Sequence, residues 1–129
     1  MSIAFLIGRI IFGAYWIRVA YNHIFGASHM IGYAASKNVP APKVAIIGSG
    51  ILALLGGLSI LLGSWTTTGI ILLVVFLVGV TFKMHDFWND QDAMAKMGNS
   101  VNFMKNVALI GALLMMLAIS QPWAYHWPM

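Results

Sequence analysis

Polar side chains gather at the ends of long apolar runs. Arg18, Tyr21, Asn22 and His23 close the first run, Lys83, His85 and Asp86 close the third, and Asn102, Lys105 and Asn106 open the last. Each Arg, Lys or Asp at membrane depth costs on the order of 2.5–3.5 kcal/mol on insertion scales, so such groups face a protein interior, a wet cavity or the headgroups. If the chain folds back and forth, these three ends meet on one face. Tyr15, Arg18 and Asn22 are spaced i, i+3, i+7 and share a helix face, as do Asn102, Lys105 and Asn106. His23 lies roughly 140° round the helix from Arg18, so the two are not expected in one small pocket. Arg9 is expected to face the opposite way from Arg18.

The chemistry open to such a set is hydrogen bonding and proton transfer. A quinone head group fits: its carbonyls need donors such as Arg18 and Lys105, and its reduction needs protons from a carrier such as His23 or His85. The plainer alternative also stands, in which Arg18 snorkels to the headgroups, the lysines anchor topology and Asp86 neutralises a neighbouring cation. No HxxxH or HExxH spacing supports a metal or haem site, and no serine has nucleophile context. His29 falls in an expected loop and His126 in an expected solvated tail. The nine methionines suit packing or lipid contact better than a copper relay. The chain holds no cysteine, which removes disulfides, thiol redox chemistry and Cys-ligated clusters. No intrinsic cofactor is expected.

Positioning these residues falls to helices in lipid. Of the 129 residues, 60% are hydrophobic and 8% charged, against roughly 25% charged in a soluble domain. A water-facing shell cannot be built from so few charges. The net charge of +4 comes from basic residues scattered singly, which speaks against nucleic acid as a partner. A spanning helix needs about 20 apolar residues, and four segments qualify: about 3–25, 43–63, 67–84 and 102–121. The expected fold is all-α, a four-transmembrane-helix bundle forming one integral membrane domain over 1–129. A short interfacial helix is expected between helices three and four, capped by Asn89 or Asp90 and ended by Gly98. The segment holding Gly26, Gly32 and Pro40-Ala41-Pro42 is expected to be a loop.

The first apolar run, Ile3 to Ile24, is longer than a signal-peptide core, lacks a basic start and contains Arg9 and Arg18, so a retained helix is expected. Ala45, Ser49, Ala53 and Gly57 recur every four positions as a smooth stripe for close helix packing, whether against this chain or another membrane-protein subunit. Four spans put Lys37, Lys43, Lys83, Lys96 and Lys105 on one face, which the positive-inside rule assigns to the cytoplasm. Trp65, Trp123, Tyr125 and Trp127 are expected at the opposite interface.

In order and spacing the chain resembles the DoxX family of small bacterial membrane proteins. The resemblance is carried by Gly8-Arg9-Ile10-Ile11-Phe12-Gly13, Tyr21-Asn22-His23-Ile24-Phe25-Gly26 and Val39-Pro40-Ala41-Pro42. It continues through Leu54-Leu55-Gly56-Gly57-Leu58, Leu62-Gly63, His85-Asp86-Phe87-Trp88 and Asn102-Phe103-Met104-Lys105-Asn106-Val107-Ala108-Leu109. His23 stands where the family commonly has a lysine. The resemblance implies a four-helix subunit of a bacterial inner membrane. Some relatives are parts of thiosulfate:quinone oxidoreductase or of oxidant-defence assemblies, and many have no assigned activity. Three functional expectations follow: an accessory subunit of a membrane oxidoreductase with a quinone- or lipid-side pocket, a non-catalytic assembly subunit, and a small transporter.

Overall fold

The computed structural model describes residues 2–127. Five α-helices follow one another: α1 (Ser2–Phe25), α2 (Ala27–Ser36), α3 (Pro42–Leu62), α4 (Thr66–Met84) and α5 (Ala93–Met116). A single 3-10 turn, Phe87–Asn89, precedes the last, and no strand occurs among the described residues. Three stretches are long and apolar enough to cross a membrane: Ile3–Phe25, Pro42–Leu62 and Thr66–Asn89.

The order of packing follows the chain. α1 lies along α3, α3 against α4 and α4 against α5, while α2 lies across α3. In α1 the buried positions are Arg9, Gly13, Trp16, Ala20 and His23, separated by alternating steps of four and three. That is the seam of a left-handed helix pair. In lipid such a seam gains little from the hydrophobic effect and depends on close contact. Glycine supplies it. A Cβ on Gly57 would lie 2.9 Å from the Trp16 Cβ and 3.2 Å from the Gly13 carbonyl oxygen, and one on Gly50 would lie 2.8 Å from the His23 Cβ. Trp16, Ala53, Ile60, Leu73, Leu77 and Leu113 form the centre of the core. Ala53 and Gly57 of the small-residue stripe are buried in the bundle, whereas Ala45 and Ser49 line an apolar groove with Gly48, Leu52, Val75 and Gly79.

Three local expectations are corrected. The segment after α1 is a helix, not a loop, because Ala27, Met30, Ile31 and Ala34 recur at i, i+3, i+4, i+7 and pack with Ile46 and Met84. That apolar stripe outweighs the cost of about 1 kcal/mol for Gly32 in a helix. No separate short helix ends at Gly98, and α5 runs unbroken through it. The Asp92 carboxylate accepts from the Ala95 amide at 2.9 Å and sets the start at Ala93, an N-cap worth about 1 kcal/mol. Finally, α5 stops at Met116, short of the expected 121. Leu117, Ala118 and Ile119 donate to carbonyls three residues back, the tightened bonding of a helix end. The chain then returns to α1, where Trp123 is 1% exposed and meets Phe5 edge-on at 5.3 Å. Trp123 is therefore a core residue. Trp65, Tyr125 and Trp127 are exposed.

Candidate functional site: two cavities at the polar helix ends

His23 is in the last turn of α1, 9% exposed, with its ring 5.3 Å from that of Phe76 on α4. Its Nδ1 is 2.9 Å from the Val19 carbonyl. A carbonyl only accepts, so Nδ1 carries the proton and Nε2 keeps its lone pair. His85 follows α4, and its Nδ1 is 3.1 Å from Asn99 Oδ1 on α5. The Asn99 amide is oriented by Asp90, whose Oδ2 accepts from Nδ2 at 2.8 Å, and Nδ2 also reaches the Tyr33 hydroxyl at 3.4 Å. Asn99 Oδ1 therefore faces His85 as an acceptor, and again Nδ1 holds the proton. Both histidines are thus fixed by a second group and present Nε2 to whatever they line.

They line two cavities. The outer one, about 590 Å³, is bounded by His23, His29, Tyr33, Lys37, His85, Asp90, Asn99 and Asn102, with Met30, Ile46, Val80 and Met84 as its apolar floor. The inner one, about 230 Å³, is bounded by Tyr15, Trp16, Asn22, His23, His85, Lys105 and Asn106. His23, Met30, Val80 and His85 border both and form a partition one side chain thick. The inner cavity fills the space where α1 and α5 fail to pack on each other, with Phe76, Leu77 and Val80 of α4 behind it.

α2 closes the outer cavity through two tethers. The Tyr33 hydroxyl donates to the Met84 carbonyl at 3.0 Å, a carbonyl left over at the end of α4. The Lys37 ammonium meets Asp86 Oδ1 at 2.6 Å, and Asn89 donates to the other carboxylate oxygen at 3.0 Å. That hydrogen bond and the carboxylate's charge hold Lys37 above the usual lysine range, against partial desolvation.

Of the nine residues singled out in the sequence, six border the cavities: Asn22, His23, His85, Asn102, Lys105 and Asn106. Asp86 stands beside them, engaged with Lys37 and Asn89. Arg18 and Tyr21 do not border either cavity. Both are exposed on α1, with the guanidinium 5.8 Å from the Tyr21 ring centroid. Sequence reasoning missed Tyr33, Lys37 and Asn99, whose positions depend on α2 and on the unbroken α5. The spacing of Ala27, Met30, Ile31 and Ala34 was the available signal for α2. Among the described residues no three His or Asp side chains come together as a metal-binding group.

At the opposite end of the bundle Arg9 is 3% exposed. Its Nε donates to the Ile60 carbonyl at 3.1 Å, and Nη2 donates to those of Leu61 at 3.0 Å and Tyr125 at 3.2 Å. Nη1 donates to the Ala124 carbonyl. The rings of Phe5 and Trp123 flank the guanidinium at 5.4 and 5.7 Å. Gly63, at φ 69°, leaves room for it: a Cβ there would lie 2.5 Å from Nη2.

Apolar helices of spanning length, an exterior crowded with Ile, Leu, Val and Phe, and polar cavities confined to one set of helix ends define an integral membrane protein. The particular family is also determined. The DoxX family pattern matches residues 4–86, and the chain belongs to that family. It is similar to the inner membrane protein YphA of Escherichia coli strain K12, at 31% identity over 119 residues, covering 92% of this chain and 84% of the relative. No solved structure matches it.

Proposed function

We propose that this chain is a membrane subunit of an oxidoreductase assembly whose outer and inner cavities receive the head group of a membrane quinone. One observation supports the reading above the others: His23 and His85 are each fixed through Nδ1 and line a shared cavity with Nε2 unengaged. A neutral imidazole Nε2 accepts the O–H of a quinol, and once protonated it donates to the carbonyl of a quinone. Two such groups suit a ligand that exchanges two protons. Electrons pass to or from a partner subunit, since the sequence holds no cofactor motif of its own. The first two-thirds of the chain supplies three spans, and α5, about 36 Å long at 1.5 Å per residue, supplies the fourth. We place the protein in a bacterial inner membrane with Lys37, Lys43, Lys83, Lys96 and Lys105 on the cytoplasmic side, following the positive-inside rule.

Purification in mild detergent followed by solvent extraction tests this. Quinone should co-purify near one equivalent, and the double variant His23→Leu/His85→Leu should retain much less at unchanged yield. Quinone no higher than in detergent-matched blanks would overturn the reading. A second reading, a non-catalytic assembly subunit, is favoured by Ala45, Ser49, Gly48 and Gly79, which line a groove that packs against nothing else in this chain. Native mass measurement separates the two, because an assembly subunit leaves the membrane with partner chains and no quinone.

A further inference from the structure

We infer that the inner cavity selects a ligand ring bearing a negatively charged oxygen, with Lys105 as its counter-ion and Trp16 as a neutral donor. The inference rests on the quinone reading and specifies the charge state that the site favours. The first observation is an unpartnered donor. Trp16 is fully buried, lines the inner cavity, and its indole Nε1 has no hydrogen-bond partner. Leaving a buried donor unpaired costs about 1–3 kcal/mol, a cost that a ligand oxygen removes. Indole N–H only donates, so the group that relieves it must be an acceptor.

The second observation is an inventory of carboxylates. The chain has three acidic residues, and each is engaged elsewhere: Asp86 with Lys37 and Asn89, Asp90 with Asn99, and Asp92 with the first turn of α5. None borders the inner cavity. Lys105, on the exposed side of that cavity, consequently has no ion-pair partner among the described residues. The remaining polar wall (Tyr15, Asn22, Asn106 and the two histidines) adds donors without adding negative charge. An ammonium in a cleft walled by Phe76, Leu77 and Val80 acts through a low dielectric, where an opposite charge is attracted far more strongly than in water. A quinoid ring whose oxygen is ionised supplies that charge and satisfies Trp16, and a neutral ring supplies only the second.

The test compares two head-group probes without tails, 1,4-naphthoquinone and its 2-hydroxy derivative, which is an anion at neutral pH. Binding to the detergent-solubilised full chain is followed by quenching of tryptophan fluorescence, and the ratio of the two affinities is compared between proteins so that micelle partitioning cancels. Lys105→Gln should lower the preference for the anion by roughly tenfold while leaving the neutral compound's affinity within about twofold. Trp16→Phe, which keeps the ring packing, should weaken both probes by several-fold; its altered signal is avoided by equilibrium dialysis. An affinity ratio equal in the wild type and Lys105→Gln, with the neutral probe still bound, overturns this inference and leaves the quinone reading standing. Binding of neither probe to the wild type overturns both. Lys105 is exposed, so its replacement does not threaten the fold.

Discussion

Arg9 holds more of the fold together than any other polar side chain here. A buried cation is ordinarily balanced by a carboxylate, yet its partners are four backbone carbonyls and two ring faces. The carbonyls of Ile60 and Leu61 belong to the last turn of α3, where helix geometry leaves them free and the helix dipole makes them negative. Only a planar fork with five donors reaches both this turn and the returning tail. Lysine, a point charge with three donors on a flexible stem, does not substitute for it. Arg9→Lys is expected to destabilise the protein by about 3 kcal/mol, taken from a few charge-assisted hydrogen bonds lost with their acceptors still buried. Trp123 reports this directly, because its burial depends on the same contact. Thermal unfolding followed by fluorescence should begin earlier and show a red-shifted emission even before the main transition. An unaltered melting profile would remove Arg9 from this role.

At the scale of helices, α1 and α3 meet so closely that side-chain size at Gly57 decides whether they meet at all. The Cβ of a larger residue would press against Trp16 and the Gly13 carbonyl, and neither can move away within a packed seam. Gly57→Leu is expected to abolish folded protein in detergent. Gly79→Leu, at a position with nothing within 4 Å of an added Cβ, should be recovered in normal yield. Size-exclusion profiles of the two variants make the comparison. The smaller helix α2 depends on fewer contacts. Tyr33→Phe removes one neutral hydrogen bond to Met84 and the contact with Asn99, worth about 1 kcal/mol. Amide exchange in α2 should accelerate by about fivefold, while exchange in α3 stays as it was. Equal acceleration in both helices would mean that α2 does not open independently.

For the molecule as a whole, orientation has a direct test because the chain contains no cysteine. Single Ser36→Cys and Thr67→Cys variants place a thiol at exposed positions on opposite ends of the bundle. With the lysine-rich end cytoplasmic, a membrane-impermeant maleimide should label Thr67→Cys in spheroplasts and label Ser36→Cys only after lysis; the reverse pattern would invert the topology. The membrane character, the three apolar spans and the family were all legible in the sequence, because the free energy of burying a peptide in lipid depends on length and composition. Such properties add along the chain and do not depend on which segments meet. The meeting of Asn22, His23, His85, Asn102, Lys105 and Asn106 around shared cavities was partly legible, since alternating spans bring those helix ends together. Arg18 exposes the limit of that reasoning: it shares a face with Asn22 on a helical wheel, yet it lies outside the cleft. Helical spacing gives a residue's angle about its own axis and leaves open how neighbouring helices are placed around that axis. That placement came from Gly50 and Gly57 drawing α3 onto α1, from Asp92 starting α5 early enough to bring Asn99 to His85, and from Arg9 drawing the tail back. Each is a contact between residues distant in sequence, whose energy exists only when both partners are in place, so only the tertiary structure decided it.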